Sequence, residues 1–252
     1  MVARRDGTES VPYNFWWDIM DYSVVVPVYD ERDNLEILLK SLTEVMDSLW
    51  KEYEIICVND GSRDGSDEVL RDLKRKYRQL RVVEFERNCG LTAALDAGFS
   101  MAKGDIIITI DADMQNDPRD IPKLLKEIGN YDVVCGVRST RHDSWLRIVS
   151  SRIANYIRNK VTKENITDVG CTLRAYKRKF LSRLKLFDGM HRFLPTLFKW
   201  EGAKVVEVEV THHPRLYGKT KYGVWNRVFK SFIDLLAVVW MKKRKLNYKI
   251  KE

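Results

Sequence analysis

The chain has 252 residues, of which 44% are hydrophobic and 32% are charged. A protein of this composition forms a folded core, which excludes an intrinsically disordered or fibrous chain, and the length suits one large domain with appendages. The four cysteines are widely spaced and form no CxxC pair, so neither a zinc site nor a disulfide framework is predicted. Charged residues precede the first apolar run, which argues against a signal peptide and for a cytoplasmic protein.

The net charge of +8 is distributed unevenly along the chain. Residues 1–137 carry 17 Lys and Arg against 27 Asp and Glu, a net charge of −10, whereas residues 138–252 carry 27 against 9, a net charge of +18. Such a division indicates that one part holds cations or performs acid chemistry, while the other faces an anionic partner such as a membrane surface or nucleic acid. The alternative is a solvated basic face.

Residues 1–21 form a predicted N-terminal extension, and five short runs rich in Val and Ile follow it. Each run has the composition of a strand buried on both faces of a sheet, and the longer segments between the runs have helical periodicity, the first helix with Asp33 as its cap. The predicted strands are Ser23–Val28, Tyr53–Val58, Arg81–Phe85, Asp105–Ile110 and Tyr131–Gly136. This alternation predicts a Rossmann-like α/β fold, with a mostly parallel open sheet and helices on both faces.

A polar motif directly follows each predicted strand. Because ligands of such sheets bind beyond the carboxyl ends of the strands, we expect the five motifs to line one edge of the sheet. In chain order they are Pro27 to Glu31, Asn59 to Gly65, Arg87 to Gly90, Asp111 to Gln115, and Arg138.

The fourth motif, Asp111-Ala112-Asp113-Met114-Gln115, has the residue types of a divalent-cation site. A turn at the strand end can direct both carboxylates toward one ion, and Gln115 adds a neutral oxygen. A cation held there would neutralise the diphosphate of a nucleotide-sugar as it leaves. The alternative is a polar turn before Pro118. In the second motif, the Asp60 carboxylate either accepts hydrogen bonds from a base or ribose or belongs to an Asx turn before the next helix.

Two basic segments with apolar stripes follow the sheet motifs. Residues 145–162 carry one stripe, and residues 223–252 form a second basic helix and tail that contains Lys242-Lys243-Arg244-Lys245. Such helices either lie in a membrane interface or pack on the protein core. The run Leu235–Met241 is far shorter than the roughly 20 residues that cross a bilayer, so a helix that meets a membrane here would lie on its surface.

The five motifs, in this order and spacing, resemble the family 2 inverting glycosyltransferases with the GT-A fold, most closely those that act on polyprenyl phosphates. The resemblance extends from about Ser23 to Tyr222, which makes residues 22–222 the catalytic domain. It implies that the nucleotide-sugar contacts Pro27, Tyr29, Glu31, Asp60, Asn88, Asp111, Ala112 and Asp113, and that Mg²⁺ or Mn²⁺ is held by Asp111, Asp113 and Gln115. The sequence has Asp30 where the family usually has Asn, and Asn59 where Asp is common.

The resemblance also implies an acceptor side within the basic half of the chain. The residues that match phosphate-binding positions are Arg138, Arg147, Ser151, Arg215 and Lys221. Asp168 matches a carboxylate that acts as a base or orients the acceptor, and we favour the orienting role because a phosphate monoester, with a second pKa of about 6, needs no strong base. Asp113, Asp168 and Arg138 are therefore the predicted catalytic residues.

The activity that the resemblance implies is inverting transfer of a hexose, from a donor of the GDP-mannose or UDP-glucose type, to dolichyl or undecaprenyl phosphate. The protein would act as a peripheral enzyme on the cytoplasmic face of the cell membrane. The alternative is transfer to a polysaccharide or other hydroxyl. A dehydrogenase is excluded because no Gly-x-Gly-x-x-Gly follows the first strand, and a nucleic-acid-binding module leaves the acidic motifs unexplained.

Overall fold

The computed structural model describes residues 20–138, 166–181, 184–217 and 224–244, although not the side chains of residues 224–231. Within these ranges, seven strands form one sheet in the order β3-β2-β1-β4-β6-β5-β7. The strands are β1 (Tyr22–Val28), β2 (Tyr53–Asn59), β3 (Leu80–Glu84), β4 (Ile106–Thr109), β5 (Val133–Arg138), β6 (Arg174–Lys177) and β7 (Val205–Val210). The helices are α1 (Arg32–Asp47), α2 (Ser66–Lys76), α3 (Leu91–Met101), α4 (Ile121–Glu127), α5 (Arg178–Leu181), α6 (Leu194–Trp200) and α7 (Val224–Arg244).

The sheet is mostly parallel, as predicted. β1 pairs in parallel with β2 and β4, β2 with β3, and β5 with β7, whereas β6 is antiparallel to both of its neighbours. All five predicted strands are present and end within two residues of their predicted bounds. The mixed α/β fold is therefore confirmed, and β6 and β7 are additions that the apolar runs did not predict.

Two hydrophobic cores cover the two faces of the sheet. Successive residues of a strand point to opposite faces, so Val24 and Val26 contribute to one core and Val25 to the other. Helices α1, α2 and α4 pack on the first face, and helices α3, α5 and α6 pack on the second. Helices on both faces fix the sheet and direct the loops at its carboxyl edge.

Two local predictions were wrong. Asp33 does not cap α1, because the helix begins at Arg32 and Asp33 lies in its first turn. The Arg32 backbone N–H is instead accepted at 3.0 Å by the Asp64 carboxylate from the loop after β2. Strand β3 is not buried on both faces, since it lies at the edge of the sheet and only Leu80 is fully covered.

Helix α7 carries apolar residues on two sides. Leu235 and Val238 are buried against a small cluster that includes Met190 and Phe193, so the helix does pack on the protein. A second group, comprising Phe232, Ile233, Leu236 and Trp240, is exposed by 49–62%. The alternative of packing on the core is therefore confirmed for one side of the helix, and contact of the exposed side with a membrane stays a prediction. Among the described residues, no helix is long and apolar enough to cross a membrane.

The remaining membrane-related predictions concern residues outside the described ranges. They are the N-terminal extension up to residue 19, the helix predicted over residues 145–162 and the tail from residue 245.

Candidate active site

The carboxyl edge of the sheet brings together segments from the whole length of the chain. The parallel strands end there, and β6 begins there because it runs in the opposite direction. The edge therefore receives the segments after β1, β2, β3, β4, β5 and β7 and the segment before β6. This arrangement confirms that the loops after the predicted strands meet at one edge.

The loops after β1 and β2 hold each other through hydrogen bonds. The Asp30 backbone N–H donates to Ser62 Oγ at 3.0 Å, and the Arg63 N–H donates to Asp30 Oδ1 at 2.8 Å. Within the second loop, Asn59 Oδ1 accepts the Ser62 N–H at 3.1 Å. The two positions that depart from the family pattern, Asp30 and Asn59, thus both bind backbone groups of these loops.

Asp60 organises the loop after β3. Its carboxylate is buried and accepts the backbone N–H groups of Cys89 at 2.6 Å and Gly90 at 2.9 Å, and the Asn88 side-chain amide at 2.9 Å. Burial raises the pKa of the Asp60 carboxyl, and the two backbone hydrogen bonds oppose that rise. Asp60 and Asn88, both predicted to contact the nucleotide-sugar, are therefore neighbours.

Gly61 permits the close contact between these two loops. Its φ of +65° lies in the left-handed region, and a Cβ atom at this position would meet the Arg87 carbonyl carbon at 2.4 Å. A side chain would therefore push the loop after β3 away from Asp60.

The metal motif after β4 forms a tight turn. Met114 has a φ of +60°, a conformation that is uncommon for a residue other than glycine, and the turn is closed by the Gln115 N–H donating to Asp113 Oδ1 at 3.1 Å. Ala112 is buried beneath the turn. Burial, followed by the nearby charge of Asp113, raises the pKa of Asp111 to about 7. The charge of Asp113 therefore disfavours simultaneous ionisation of the two carboxylates.

Arg215 bridges the first and fourth motifs. Its guanidinium donates to Glu31 Oε1 at 2.8 Å through one nitrogen and to Asp113 Oδ2 at 2.7 Å through another. The other Glu31 oxygen accepts the Asn34 side-chain amide at 2.6 Å. Arg215, predicted to bind the acceptor phosphate, thus lies among the residues predicted to bind the nucleotide-sugar.

The segment after β7 carries Arg215 to this position by pairing with the residues that follow the metal motif. The His213 N–H donates to the Gln115 carbonyl at 2.8 Å, and His212 forms an isolated bridge with Asn116. The His213 ring contacts Asp117 at 3.2 Å. These contacts give His212 and His213 a structural role in holding this segment beside the metal motif.

Arg138 and Asp168 form a buried ion pair on the other side of the edge. Arg138 Nε donates to Asp168 Oδ2 at 2.7 Å, and its terminal nitrogen donates to Oδ1 at 2.9 Å. The Gly170 N–H donates to Oδ1 at 3.0 Å, and the side chain of Asp168 is 2% exposed. Glu207 of β7 accepts the Asp168 backbone N–H at 3.2 Å. Both oxygens of the predicted acceptor-orienting carboxylate are therefore engaged by one arginine.

Arg174, at the start of β6, was not predicted as a site residue. It is 3% exposed and donates to the main-chain carbonyls of Val169 at 2.8 Å and His191 at 3.2 Å. Its charge also partly opposes the rise in the pKa of Asp111 that burial causes. A single arginine at the start of a short strand gives no sequence signal, because its burial and its main-chain partners depend on the fold.

The carboxylates after β4 are suited to a hard divalent cation. Asp111 and Asp113 supply carboxylate oxygens, the ligands that Mg²⁺ and Mn²⁺ prefer, and Gln115 follows in the same turn. Within the described ranges, no three His, Cys, Asp or Glu residues are arranged to hold a metal ion. The remaining ligands would have to come from Gln115, water and the phosphates of a bound nucleotide.

The predicted site residues thus fall into two groups on one edge. Residues that belong to the first group, with the nucleotide motifs, are Pro27, Tyr29, Glu31, Asp60, Asn88, Asp111, Ala112, Asp113, Gln115 and Arg215. The second group contains Arg138 and Asp168. Three predicted acceptor residues, Arg147, Ser151 and Lys221, lie outside the described residues.

Comparison with known proteins relates this chain to lipid-phosphate sugar transferases. It is 40% identical over 213 residues to the undecaprenyl-phosphate 4-deoxy-4-formamido-L-arabinose transferase of Aeromonas hydrophila, covering 84% of this chain and 65% of that protein. It is 36% identical over 232 residues to the dodecaprenyl-phosphate galacturonate synthase of Rhizobium johnstonii, covering 90% and 68%. The chain therefore spans about two thirds of the length of these relatives.

The fold is also found in solved structures. Glucosyl-3-phosphoglycerate synthase from Mycobacterium tuberculosis, in complex with Mn²⁺, UDP and glucosyl-3-phosphoglycerate, superposes with a TM-score of 0.67 at 16% identity, covering 90% of this chain and 81% of that one. This likeness supports the GT-A fold. The model of the family described as "Glycosyl transferase family 2" matches residues 23–185. Because that model matches more than half of the chain, the chain belongs to glycosyl transferase family 2.

Proposed function

We propose that this protein transfers a hexose from a nucleotide-sugar of the GDP-mannose or UDP-glucose type to a polyprenyl phosphate, with inversion at the anomeric carbon. One observation carries the proposal: a pair of acidic residues suited to a cation and a buried arginine–carboxylate pair share the carboxyl edge of the sheet. The names of the two relatives, which act on undecaprenyl and dodecaprenyl phosphates, support this class of acceptor.

On the donor side, the nucleoside would lie along the loops after β1, β2 and β3. Pro27 and Tyr29 are half-buried at the end of β1, and Asp60 holds the loop that contains Asn88. Asp111, Asp113 and Gln115 would hold Mg²⁺ or Mn²⁺. When bound, the metal supplies Lewis-acid neutralisation of the nucleoside diphosphate as it leaves.

On the acceptor side, the chemistry needs an oriented anion rather than a strong base. An oxygen of the lipid phosphate forms the new bond to the anomeric carbon, while the bond from that carbon to the diphosphate breaks and the diphosphate departs with the electron pair. Both Asp168 oxygens are bonded to Arg138, and this contact supports a role in fixing the guanidinium that faces the acceptor. The acceptor phosphate, with a second pKa of about 6, is largely ionised at neutral pH.

Transfer to the lipid phosphate can be measured directly. The purified chain would be incubated with Mn²⁺, a panel of nucleotide-sugars and a short-chain polyprenyl phosphate, and the lipid-linked sugar would be detected by mass spectrometry. The expected result is inverted product from one donor. Asp168→Asn should reduce the rate only partially, by about tenfold, because an orienting contact is weakened while no essential base is lost.

The same variant distinguishes the second candidate function. Transfer to a polysaccharide hydroxyl requires removal of a proton, so Asp168→Asn would then be almost inactive. Transfer to a saccharide by the wild-type protein, together with no transfer to polyprenyl phosphate, would contradict the proposed acceptor.

We propose further that the protein is peripheral on the cytoplasmic face of the membrane, where α7 lies against the lipid surface. The side of α7 that carries Phe232, Leu236 and Trp240 is exposed, and Lys242, Lys243 and Arg244 follow it. An exposed apolar side beside basic residues matches the interface of an anionic bilayer. This surface would place the active site near a membrane-embedded acceptor.

Liposome flotation tests the membrane surface. The protein is expected to float with anionic vesicles at low salt, and Leu236→Glu should reduce the bound fraction severalfold, whereas Ile37→Glu, a change at an exposed apolar residue of α1, should not. Equal binding of both variants would contradict the assignment of α7.

A further inference from the structure

Arg215 holds the carboxylate oxygens that a divalent cation and its nucleotide would need. From this contact we infer that Arg215 is an exchangeable internal cation, which competes with the metal for Asp113 and makes binding of metal depend on binding of the nucleotide. The inference rests on the proposed function, and it assigns Arg215 a positioning and regulatory role that differs from its predicted contact with the acceptor phosphate.

The first step is the position of the guanidinium. Arg215 donates to Asp113 Oδ2 at 2.7 Å, and the other Asp113 oxygen accepts the Gln115 N–H at 3.1 Å. A cation that binds Asp113 through Oδ2 must therefore take this oxygen from Arg215. Two positive groups cannot share it closely, because they repel each other in a site with little water.

The second step is the link to Glu31. The same guanidinium donates to Glu31 Oε1 at 2.8 Å, and Glu31 lies in the first nucleotide motif. The side chains of Glu31 and Asp113 are 7% and 10% exposed, so their charges need a partner. Arg215 thus supplies one positive charge to two acids that lie 82 residues apart and belong to the nucleotide and metal motifs.

The third step is how Arg215 can move. Each of its two bonds goes to a different carboxylate, and its side chain is 23% exposed. The preceding residues are fixed, since His213 N–H donates to the Gln115 carbonyl and the His213 ring contacts Asp117. The guanidinium can therefore leave the carboxylates by side-chain rotation, while its backbone stays beside the site and keeps it within reach of a diphosphate.

A metal ion that binds alone has to displace the Arg215 guanidinium from Asp113, and the guanidinium gains no new anionic partner. A metal bound with a nucleoside diphosphate brings the anion to which the released guanidinium can bind. Arg215 should therefore weaken binding of the free metal and strengthen binding of the metal–nucleotide complex. These two effects have opposite signs, which an ordinary structural arginine would not produce.

The test is calorimetric and does not depend on turnover. Protein stripped with EDTA would be titrated with MnCl₂, and then, at saturating Mn²⁺, with UDP and GDP. Arg215→Gln should bind Mn²⁺ about tenfold more tightly than the wild type and bind the nucleoside diphosphate about tenfold more weakly, as expected for loss of one neighbouring charge. Arg215→Lys keeps the positive charge but lacks the two-pronged guanidinium, so its affinities for Mn²⁺ and nucleotide should lie between those of the wild type and Arg215→Gln.

Arg119→Gln is the matched control. Arg119 lies on the same edge and pairs with Asp117 at 2.6 Å, but it is 77% exposed and bonds neither Glu31 nor Asp113. Its removal takes away the same charge and should change Mn²⁺ affinity less than twofold. If Arg215→Gln and Arg215→Lys bind Mn²⁺ no more tightly than Arg119→Gln, or if no variant binds it, the inference is overturned.

The outcome can be separated from that of the proposed function. Opposite effects of Arg215→Gln on metal and nucleotide binding would support the exchange even if the sugar is never transferred to a polyprenyl phosphate. Transfer to the lipid, with Mn²⁺ affinity unaltered in the Arg215 variants, would overturn the exchange and leave the proposed function intact.

Discussion

Two arginine–carboxylate contacts lie on the same edge of the sheet, and their surroundings differ. Arg138 binds both oxygens of one carboxylate, Asp168, which Gly170 N–H also contacts. Arg215 instead gives one bond to each of two carboxylates, Glu31 and Asp113. A bidentate pair that is supported by the backbone is a fixed part of the fold, whereas two single bonds to separate acids can be exchanged.

The two arginines therefore differ in how readily their contacts should exchange. On the proposed acceptor side, the Arg138–Asp168 pair is complete and offers a fixed cation. On the proposed donor side, the two acids that Arg215 binds are the ones predicted to take a metal and a nucleotide. Experiments that break each pair should therefore have different consequences.

Loss of Asp113 should have the largest effect. Asp113→Ala removes a proposed metal ligand and one of the two bonds of Arg215, and turnover should fall by about a thousandfold or more, the amount expected when charge on the leaving group is not neutralised. The rate of sugar transfer would be measured at saturating Mn²⁺, with circular dichroism to verify the fold. Substantial activity of a folded Asp113→Ala protein would remove Asp113 from the metal site.

Stability with and without metal should separate the two pairs. Asp168→Ala leaves Arg138 buried without its partner and should lower the free energy of unfolding by about 3 kcal/mol, whether or not Mn²⁺ is present. Arg215→Gln should also destabilise the stripped protein, but at one fixed, saturating Mn²⁺ concentration its gain in unfolding free energy should exceed that of wild type and of Asp168→Ala by about 1.4 kcal/mol, because its Kd for Mn²⁺ is expected to be about tenfold lower. Urea denaturation in EDTA and in MnCl₂ measures the free energy of unfolding of each variant without and with the metal. Equal stabilisation of the two variants by Mn²⁺ would contradict the view that only Arg215 competes with the metal.

A third pair, the exposed Arg119 with the buried Asp117, gives a reference whose contribution to stability depends on pH. The hydrogen bond from Arg119 holds the pKa of Asp117 below its usual range, and His213 contributes in the same direction. The stabilisation is therefore present above about pH 4 and is lost as the pH falls further. Asp117→Asn keeps a side-chain oxygen for the Arg119 N–H, which Asp117 accepts at 3.0 Å, but not the charge, and should cost about 1 kcal/mol of unfolding free energy at pH 6.

Urea denaturation of wild type and Asp117→Asn between pH 6 and pH 2 measures this reference. The difference in the free energy of unfolding between the two proteins should become smaller as the pH decreases. A difference that stays constant over this range would show that the carboxylate charge contributes nothing.

Cysteine labelling should show the smallest change. Cys89 is exposed, whereas Cys57, Cys135 and Cys171 are buried, and burial raises the pKa of Cys57 and Cys171 to about 12. One thiol of the folded protein should thus react with a thiol reagent. Arg215→Gln should alter its rate less than twofold, because Asp60 rather than Arg215 holds the Cys89 loop. A large acceleration in Arg215→Gln would mean that the bridge also supports the nucleotide loops.

The parts of the fold that were predictable depend on local patterns. Buried strands need runs of Val and Ile, and ligands of such sheets bind at the carboxyl edge, so β1 to β5 and the motifs after them follow from the sequence. Strand β6 was missed because Arg174 interrupts its apolar pattern. That charge is tolerated inside the sheet since carbonyls of Val169 and His191 accept its hydrogen bonds.

The contacts of the site were less predictable than its residues. Asp113, Arg138 and Asp168 were chosen from motifs and family resemblance, and the pairing of Arg138 with Asp168 brings two of them together. The bond from Arg215 to Asp113 was not foreseen, because it depends on the path of the segment after β7 beside Gln115. For α7, periodicity identified an amphipathic helix but could not show that the two apolar sides have different neighbours.

The bridge also has a consequence for the order in which the site is assembled. Arg215 follows Asp113 by 102 residues and Glu31 by 184. During synthesis, β1 to β4 and both acids therefore leave the ribosome well before their arginine, and contacts over such separations form late. Until the segment after β7 has folded beside Gln115, Glu31 and Asp113 would lack the Arg215 guanidinium. A divalent cation could then bind these acids without displacing an arginine.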